Sequence, residues 1–236
     1  MAEISKDLQQ KYDNFYSDKT EEWRKLGAKG KVENILNVTQ GKAYNKIIDI
    51  GAGDGSILSL LSEKQFGKEL YAAEISASAI EQMKKKSIAR LQKVVQFDGY
   101  TLPFGDKEFD LAICSHVIEH VEFPRTLLRE MKRISKQQVL EIPIDYSRTV
   151  DKKYSHFAAY GHINIFTPAL FRFLIISEGF RILKDRNALY SRTVVKFQYK
   201  GKLMKIFQMF VKRILWFLIP SLMRNKPNTY TVLAGE

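Results

Sequence analysis

The stretch KIIDIGAGDGSIL, residues 46–58, constrains this chain more than any other. Lys46–Ile50 is a short apolar run that reads as a buried strand, and Ser56–Leu61 reads as the opening of a helix. Between them Gly51, Gly53 and Gly55 make a turn in which the backbone can approach a ligand or take positive φ. A strand, a glycine turn and a helix N-terminus in that order is how α/β sheets hold nucleotide-type cofactors. Dinucleotides use the spacing G-x-G-x-x-G, whereas this turn is G-x-G-x-G with Asp49 just before it. A carboxylate at that position repels a pyrophosphate but suits an ammonium or a sulfonium.

Strands and helices alternate onward from the turn. Glu69–Glu74 reads as a strand, Ser78–Lys86 as a helix, Lys93–Phe97 and Phe109–Cys114 as strands, Pro124–Ile134 as a helix and Gln137–Pro143 as a strand. The alternation predicts an α/β fold, a parallel sheet with helices on both faces. Thr167–Gly179 reads as an amphipathic helix with a glycine stop, Phe180–Leu183 and Arg192–Tyr199 as strands, and Tyr230–Leu233 as a terminal β run. Residues 3–40 read as helical pieces broken near Gly27 and Gly30.

Composition narrows the classes. One cysteine in 236 residues, Cys114, excludes an internal disulfide framework and leaves no cysteine-based zinc site, and no metal ligands are expected. The polar N-terminus does not resemble a secretory signal, and no apolar run reaches the ~18 residues of a membrane span. A reducing, cytoplasmic setting is expected. The net charge of +12 is local: residues 181–226 hold twelve Lys/Arg against one acid, Asp185.

Asp49-Ile50-Gly51-Ala52-Gly53-Asp54-Gly55 resembles the first motif of class I S-adenosylmethionine-dependent methyltransferases. The resemblance continues through "LYAAEIS", "LPFGDKEFDLA", "VIEHVEFP" and "GHINIFTPALF", so it covers roughly residues 45–180 in order and is similar to the methyltransferase domain 11 subgroup. It implies a Rossmann-like seven-stranded, mostly parallel sheet, with six parallel strands and one antiparallel. It also implies one domain over 1–236, with an N-terminal helical lid (1–40), a cofactor-binding core (45–180) and a basic apolar helical insertion (200–226) before the last strand. S-adenosylmethionine is the implied cofactor and S-adenosylhomocysteine the product. Asp49, Gly51, Ala52 and Gly53 would line it, Glu74 and Ile75 would meet the ribose, Asp98 and Gly99 the adenine, and Ser115 the strand edge. Tyr12 or Tyr16 would cover the sulfonium by cation–π attraction. The subgroup's glycine turn before the fifth strand is replaced here by Ser135-Lys136-Gln137-Gln138.

Candidate bases for an acceptor hydroxyl follow the fourth and fifth strands: His162 and His116 first, then Asp145 and His120, with His156 the least supported. His120 and His162 have structural readings too, in a hydrogen-bonded pair and at a helix entry. Lys202, Lys205, Gln208 and Lys212 share one helical face opposite Leu203, Phe207, Phe210 and Ile214. Residues 203–223 are therefore a packed lid, a peripheral contact with the inner face of a membrane, or an oligomer interface. The expected partner is a small anionic acceptor, such as a nucleotide-linked sugar or another metabolite, methylated on oxygen. A membrane lipid or isoprenoid is the alternative. Nucleic acid is not expected, because no Asn-Pro-Pro-Tyr-type motif is present, although an RNA acceptor or a non-catalytic cofactor-binding subunit stays open. Oligomeric state is left open.

Overall fold

Ile47 and Ile48 both lie fully buried on opposite faces of the same strand, and that two-sided burial sets the architecture. The computed structural model describes residues 21–146, 150, 157, 161–223 and 226–236. Its seven strands are β1 (Lys46–Ile50), β2 (Glu69–Glu74), β3 (Leu91–Gln96), β4 (Phe109–Ser115), β5 (Ser135–Pro143), β6 (Arg181–Ala188) and β7 (Thr229–Gly235). They form one sheet in the order β3-β2-β1-β4-β5-β7-β6. β7 runs antiparallel to β5 and to β6, and the other neighbouring pairs are parallel. The fold is the expected Rossmann-like mixed sheet with helices on both faces.

The helices are α1 (Glu21–Val38), α2 (Ser56–Glu63), α3 (Ala77–Lys85), α4 (Pro124–Ile134), α5 (Pro168–Ser177), α6 (Arg192–Gln198), α7 (Leu203–Leu218) and the single turn α8 (Pro220–Met223). On one face Leu127, Leu128 and Met131 of α4 and Phe171 and Ile175 of α5 pack against Ile48, Ile50, Phe109 and Ala112. On the other, Val32 and Ile35 of α1 and Leu58 and Leu61 of α2 pack against Ile47, Leu70 and Ile113. Glu130 and Arg133 of α4 clamp the loop before β4: Glu130 accepts from the Leu102 amide, and Arg133 donates to the carbonyls of Leu102 and Phe104.

Two expectations need correction. First, α1 is continuous through Gly27 and Gly30, because Ala28, Val32, Ile35 and Val38 give it a buried stripe that outweighs two helix-weakening residues. Second, Arg192–Tyr199 is not a strand but mostly the helix α6, despite its β-branched residues. Ser191 caps it by accepting from the Val194 amide at 3.2 Å, and Val194 and Val195 are buried by packing. The helical insertion is α7, whose apolar face is not covered by the sheet. None of its residues is buried, and Leu203, Phe207 and Phe217 are 80%, 60% and 83% exposed. Where the subgroup has a glycine turn, α4 runs directly into β5 at Ser135, whose hydroxyl donates to the Met131 carbonyl at 2.7 Å.

Gly27 and Gly30 sit mid-helix, and beyond their chain neighbours and their own helix backbone no atom of the described residues lies within 4 Å of where a Cβ would stand. Gly27→Ala and Gly30→Ala are each expected to stabilise the chain by about 0.5–1 kcal/mol, read as a higher urea midpoint. A lower midpoint in either variant would mean that the bare backbone meets something there.

Candidate active site

The carboxyl ends of β1, β2, β4 and β5 meet at one edge of the sheet, where open α/β sheets hold ligands. After β1 the chain turns with positive φ at Gly51, Gly53 and Gly55, of +71°, +57° and +75°. A Cβ on Gly51 would stand 2.4 Å from Val117 Cγ2, so only glycine fits. The amides of Gly51 and Ala52 donate to the Ala73 carbonyl at 2.8 and 3.2 Å, which ties the turn to β2. Glu74, at the end of β2, accepts from the Gly53 amide at 2.7 Å and from the Ile75 and Ser76 amides at 2.9 and 3.0 Å. Asp49 lies beneath the turn, 1% exposed, and its Oδ2 has no hydrogen-bond partner among the described residues. Burial raises its pKa to about 7; the Lys31 ammonium works against that rise, and the Glu74 carboxylate adds to it.

Asp54 locks the turn from outside. It accepts from Arg24 of α1 at 2.8 Å, from the Ser56 hydroxyl at 2.7 Å and from Lys86 at 2.9 Å. Burial alone would raise its pKa, but these hydrogen bonds outweigh burial and hold it at about 2. Asp98 uses Oδ1 to accept from the Tyr100 and Thr101 amides at 2.8 and 2.6 Å. Asp98 itself does not line the adjoining cavity, whereas its neighbours Phe97 and Gly99 do.

At the ends of β4 and β5, Ser115 donates to Glu141 Oε2 at 2.8 Å, and Asn34 of α1 donates to Glu141 Oε1 at 2.7 Å. His116 holds a left-handed backbone, φ 60°, with its amide donating to the Glu141 carbonyl at 2.9 Å. Such a conformation in a residue with a Cβ is strained and concentrates at functional sites. Burial keeps the His116 imidazole neutral by lowering its pKa well below the usual 6.5.

Four of the candidate side chains converge with one that sequence reading did not select as catalytic. His162 Nδ1 pairs with Asp145 Oδ2 at 2.6 Å, and His120 Nδ1 donates to the Gly161 carbonyl at 3.0 Å. The two rings meet edge to face, 4.7 Å between centroids. Glu119 lies beneath them, 1% exposed, with its Oε1 3.7 Å from His120 Nε2 and from His116 Nδ1. Burial raises the Glu119 pKa to about 7 and lowers that of His120 to about 4. Tyr12, Tyr16 and His156 lie outside the described residues.

Most of these groups border one cavity of about 1340 Å³, larger than the ~300–1,000 Å³ of a site for one small ligand; Asp49, Asp98 and Glu119 are not among its lining residues. Gly51, Ala52, Gly53, Glu74, Ile75, Ser115, His116, His120, Asp145 and His162 line it. Trp23, Lys31 and Asn34 of α1 form one wall. Tyr190, Val194 and Tyr199, with Arg213, Trp216 and Phe217 of α7, form the wall beside the helical insertion. Arg213 is held there by donating to the Tyr190 carbonyl at 2.6 Å. Asn34 and Glu141 escaped sequence reading because they pair across 107 residues of chain, and Lys31 because it acts only through its field on Asp49, Glu119 and Glu141. The i, i+3 spacing of Ala28, Lys31 and Asn34 on one helical face was the available signal.

Comparison with known proteins agrees with this geometry. Residues 48–140 match the family model described as "Methyltransferase domain". The demethylmenaquinone methyltransferase of Thermotoga maritima is 28% identical over 140 residues, 57% of each chain. The ubiquinone/menaquinone biosynthesis C-methyltransferase UbiE of Xylella fastidiosa is 31% identical over 108 residues, 43% of this chain and 42% of that one. The chain thus spans about half the length of the curated relatives it matches. Among solved structures, the methyltransferase in complex with the Haloferax volcanii Trm112 methyltransferase activator superposes with a TM-score of 0.70 at 14% identity, covering 95% of this chain and 96% of that one. Residues 48–140 thus match the methyltransferase-domain model, and the described residues have the class I, S-adenosylmethionine-dependent methyltransferase fold.

The buried Asp49 generates a pH dependence of stability. Its folded-state pKa of about 7 exceeds the ordinary 3.8, so between those values the folded chain keeps a proton that the unfolded chain has lost. The stability it contributes is full below pH 3.8 and is lost as pH rises through about 7. Asp49→Asn removes that loss. In ligand-free thermal scans the variant should melt higher than the wild type at pH 8, with the gain shrinking steadily toward pH 5. A gain that stays flat with pH would assign the titration to another group.

Proposed function

We propose that this chain binds S-adenosylmethionine at the β1–β2 edge and methylates a hydroxyl-bearing, apolar-tailed acceptor drawn from an anionic membrane surface. The cofactor, when bound, supplies an electrophilic methyl group on a sulfonium and leaves as S-adenosylhomocysteine. The residues fit it. Asp49 offers a buried carboxylate oxygen without a partner, suited to an ammonium, and Lys31 on the facing wall suits a carboxylate. Glu74 is already oriented by three amides, two on Oε1 and one on Oε2, at the strand end where a ribose would lie. Ile75, Phe97 and Gly99 form an apolar slot for the adenine, with Asp98 at its margin. Methyl transfer is an in-line displacement, so the chain's task is to position two reactants and exclude water. The cluster of His116, Glu119, His120, Asp145 and His162 lies where an acceptor hydroxyl would lose its proton.

The acceptor reading rests on α7. The helix carries Trp216 and Phe217 on the cavity wall, while Leu203, Phe207, Phe210, Ile214 and Leu218 stand 41–80% exposed. Lys202, Lys205 and Lys212 flank this stripe, the pattern of a helix lying in an anionic lipid interface. No helix among the described residues is long and apolar enough to cross a membrane, so the contact would be peripheral. Two relatives carry quinones in their names, one of them as a C-methyltransferase, which supports a quinone-like skeleton for the acceptor but not its hydroxyl. A second reading, O-methylation of a small anionic metabolite such as a nucleotide-linked sugar, is favoured by Arg186, Arg192, Lys205 and Arg213 on the same cavity wall.

Calorimetry tests the cofactor site: Glu74→Ala and Lys31→Ala should each weaken S-adenosylhomocysteine binding more than tenfold, and unchanged affinity would remove that residue from the site. Methyl-labelled S-adenosylmethionine with fractionated cell extract tests the acceptor. Label in the organic phase is expected, together with sedimentation on phosphatidylglycerol vesicles that Phe207→Glu/Phe217→Glu abolishes. Label confined to small anionic solutes would overturn the lipid acceptor and leave the second reading.

A further inference from the structure

Glu119 is the most anomalous side chain in the molecule. Its carboxyl is buried at 1% exposure, yet neither oxygen has a hydrogen-bond partner among the described residues. Buried polar groups are almost always paired, and a carboxylate with both oxygens orphaned points to a missing cation. Around it, one ligand atom each from Glu119, His120 and His162 fall within 4.8 Å of one another. Two imidazoles and one carboxylate converging at that distance is the donor set of a first-row transition-metal site with open positions.

The surroundings hold the rings as metal ligands are held. His120 directs Nδ1–H at the Gly161 carbonyl at 3.0 Å, and His162 directs Nδ1 at Asp145 Oδ2 at 2.6 Å. In each ring the Nδ1 contact fixes the tautomer that presents Nε2 for coordination. A metal-bound histidine characteristically gives its other N–H to a carbonyl or a carboxylate in this way. The two loops are also sewn together. The amides of Ile163 and Asn164 donate to the Glu119 carbonyl at 3.0 and 2.9 Å, and the Asn164 side chain donates to the Val121 carbonyl at 2.7 Å. The ligand loops are thus positioned before any ion arrives.

We propose that Glu119, His120 and His162 bind one divalent transition-metal ion, of the Zn²⁺, Fe²⁺, Mn²⁺ or Co²⁺ type. The imidazole nitrogens select these ions over Mg²⁺ and Ca²⁺, which prefer oxygen donors. Binding of the ion follows from the ligand geometry alone. Its use rests on the methyl-transfer reading: an open coordination position on the cavity wall would hold the acceptor's oxygen and make its hydroxyl more acidic.

The test is a titration of the chelator-treated full chain with Zn²⁺ by calorimetry and with Co²⁺ by its visible d–d absorption, without cofactor. One ion per chain is expected, with affinity at least 100-fold weaker in Glu119→Gln and in His162→Ala. Asp145→Asn, a positioning change, should cost about tenfold and alter the Co²⁺ spectrum. Far-ultraviolet circular dichroism confirms that each variant is folded. Because Glu119→Gln keeps shape and relieves a buried charge, it serves where His162→Ala fails to fold. No binding to the wild type, or equal binding to the folded Glu119→Gln variant, overturns the proposal. The two readings fail separately. Labelled product from a chain shown to hold no ion would remove the metal and keep the methyl transfer, while a bound ion with no labelled product in any extract would do the reverse.

Discussion

Asp49, Glu74, Glu119 and Glu141 are four carboxyl groups, each 3% exposed or less, buried along the loaded edge of one sheet. Removing a carboxylate from water is among the costliest acts in folding unless the charge is neutralised or hydrogen-bonded. The architecture of the site is the set of answers to that cost. Glu74 is satisfied by three backbone amides, and Glu141 by Asn34 and Ser115. Asp49 and Glu119 are left incomplete: one retains an orphan oxygen and the other two. Lys31 is the cation whose field reaches Asp49, Glu119 and Glu141, and it stands on the cavity wall rather than in an ion pair that would consume it. Neither Asp49 nor Glu119 lines the cavity itself; each lies within two residues of one that does, Gly51 and His120.

That edge depends on elements that lie far apart in the chain. The parallel register aligns the ends of β1, β2, β4 and β5, and the positive-φ turn lets Gly53 reach Glu74. α1 closes the other side because Arg24 pairs with Asp54 at 2.8 Å and Asn34 reaches Glu141 across 107 residues of sequence. α1 therefore belongs to the site as much as to the core: the same helix turns Val32 and Ile35 to the sheet and Lys31 and Asn34 to the cavity and its buried acids.

What was legible in the sequence was what local rules govern. The strand, glycine turn and helix from Lys46 to Glu63 follow from an apolar run, three residues without Cβ and an amphipathic helix, all within one window. Glu74 and Gly99 were chosen by position along that ladder, and both line the cavity. The histidines after β4 and β5 were legible as two groups at one sheet edge, but their meeting point was not. Glu119 read as one half of an unremarkable Glu-His pair until folding left its oxygens without donors. Lys31 and Glu141 gave no local signal because their meaning lies in contacts across the fold. Residues 192–199 misled for a related reason: Thr193, Val194 and Val195 favour a strand locally, and a serine cap with burial of the two valines decides for a helix.

α7 poses the remaining physical problem. A helix of 16 residues is marginal in water by its own propensity, and helices in proteins are held mainly by burying an apolar face. This one buries no residue, although Arg213 anchors it to the Tyr190 carbonyl. Five of its large apolar side chains instead form a solvent-facing stripe beside a cavity that the same helix walls with Trp216 and Phe217. In water that stripe is a liability; against the acyl region of a bilayer it gains the burial that α7 lacks. Under the proposed lipid reading, a membrane would do for α7 what the sheet does for α1, and Trp216 and Phe217 would border the acceptor's route to the histidine cluster.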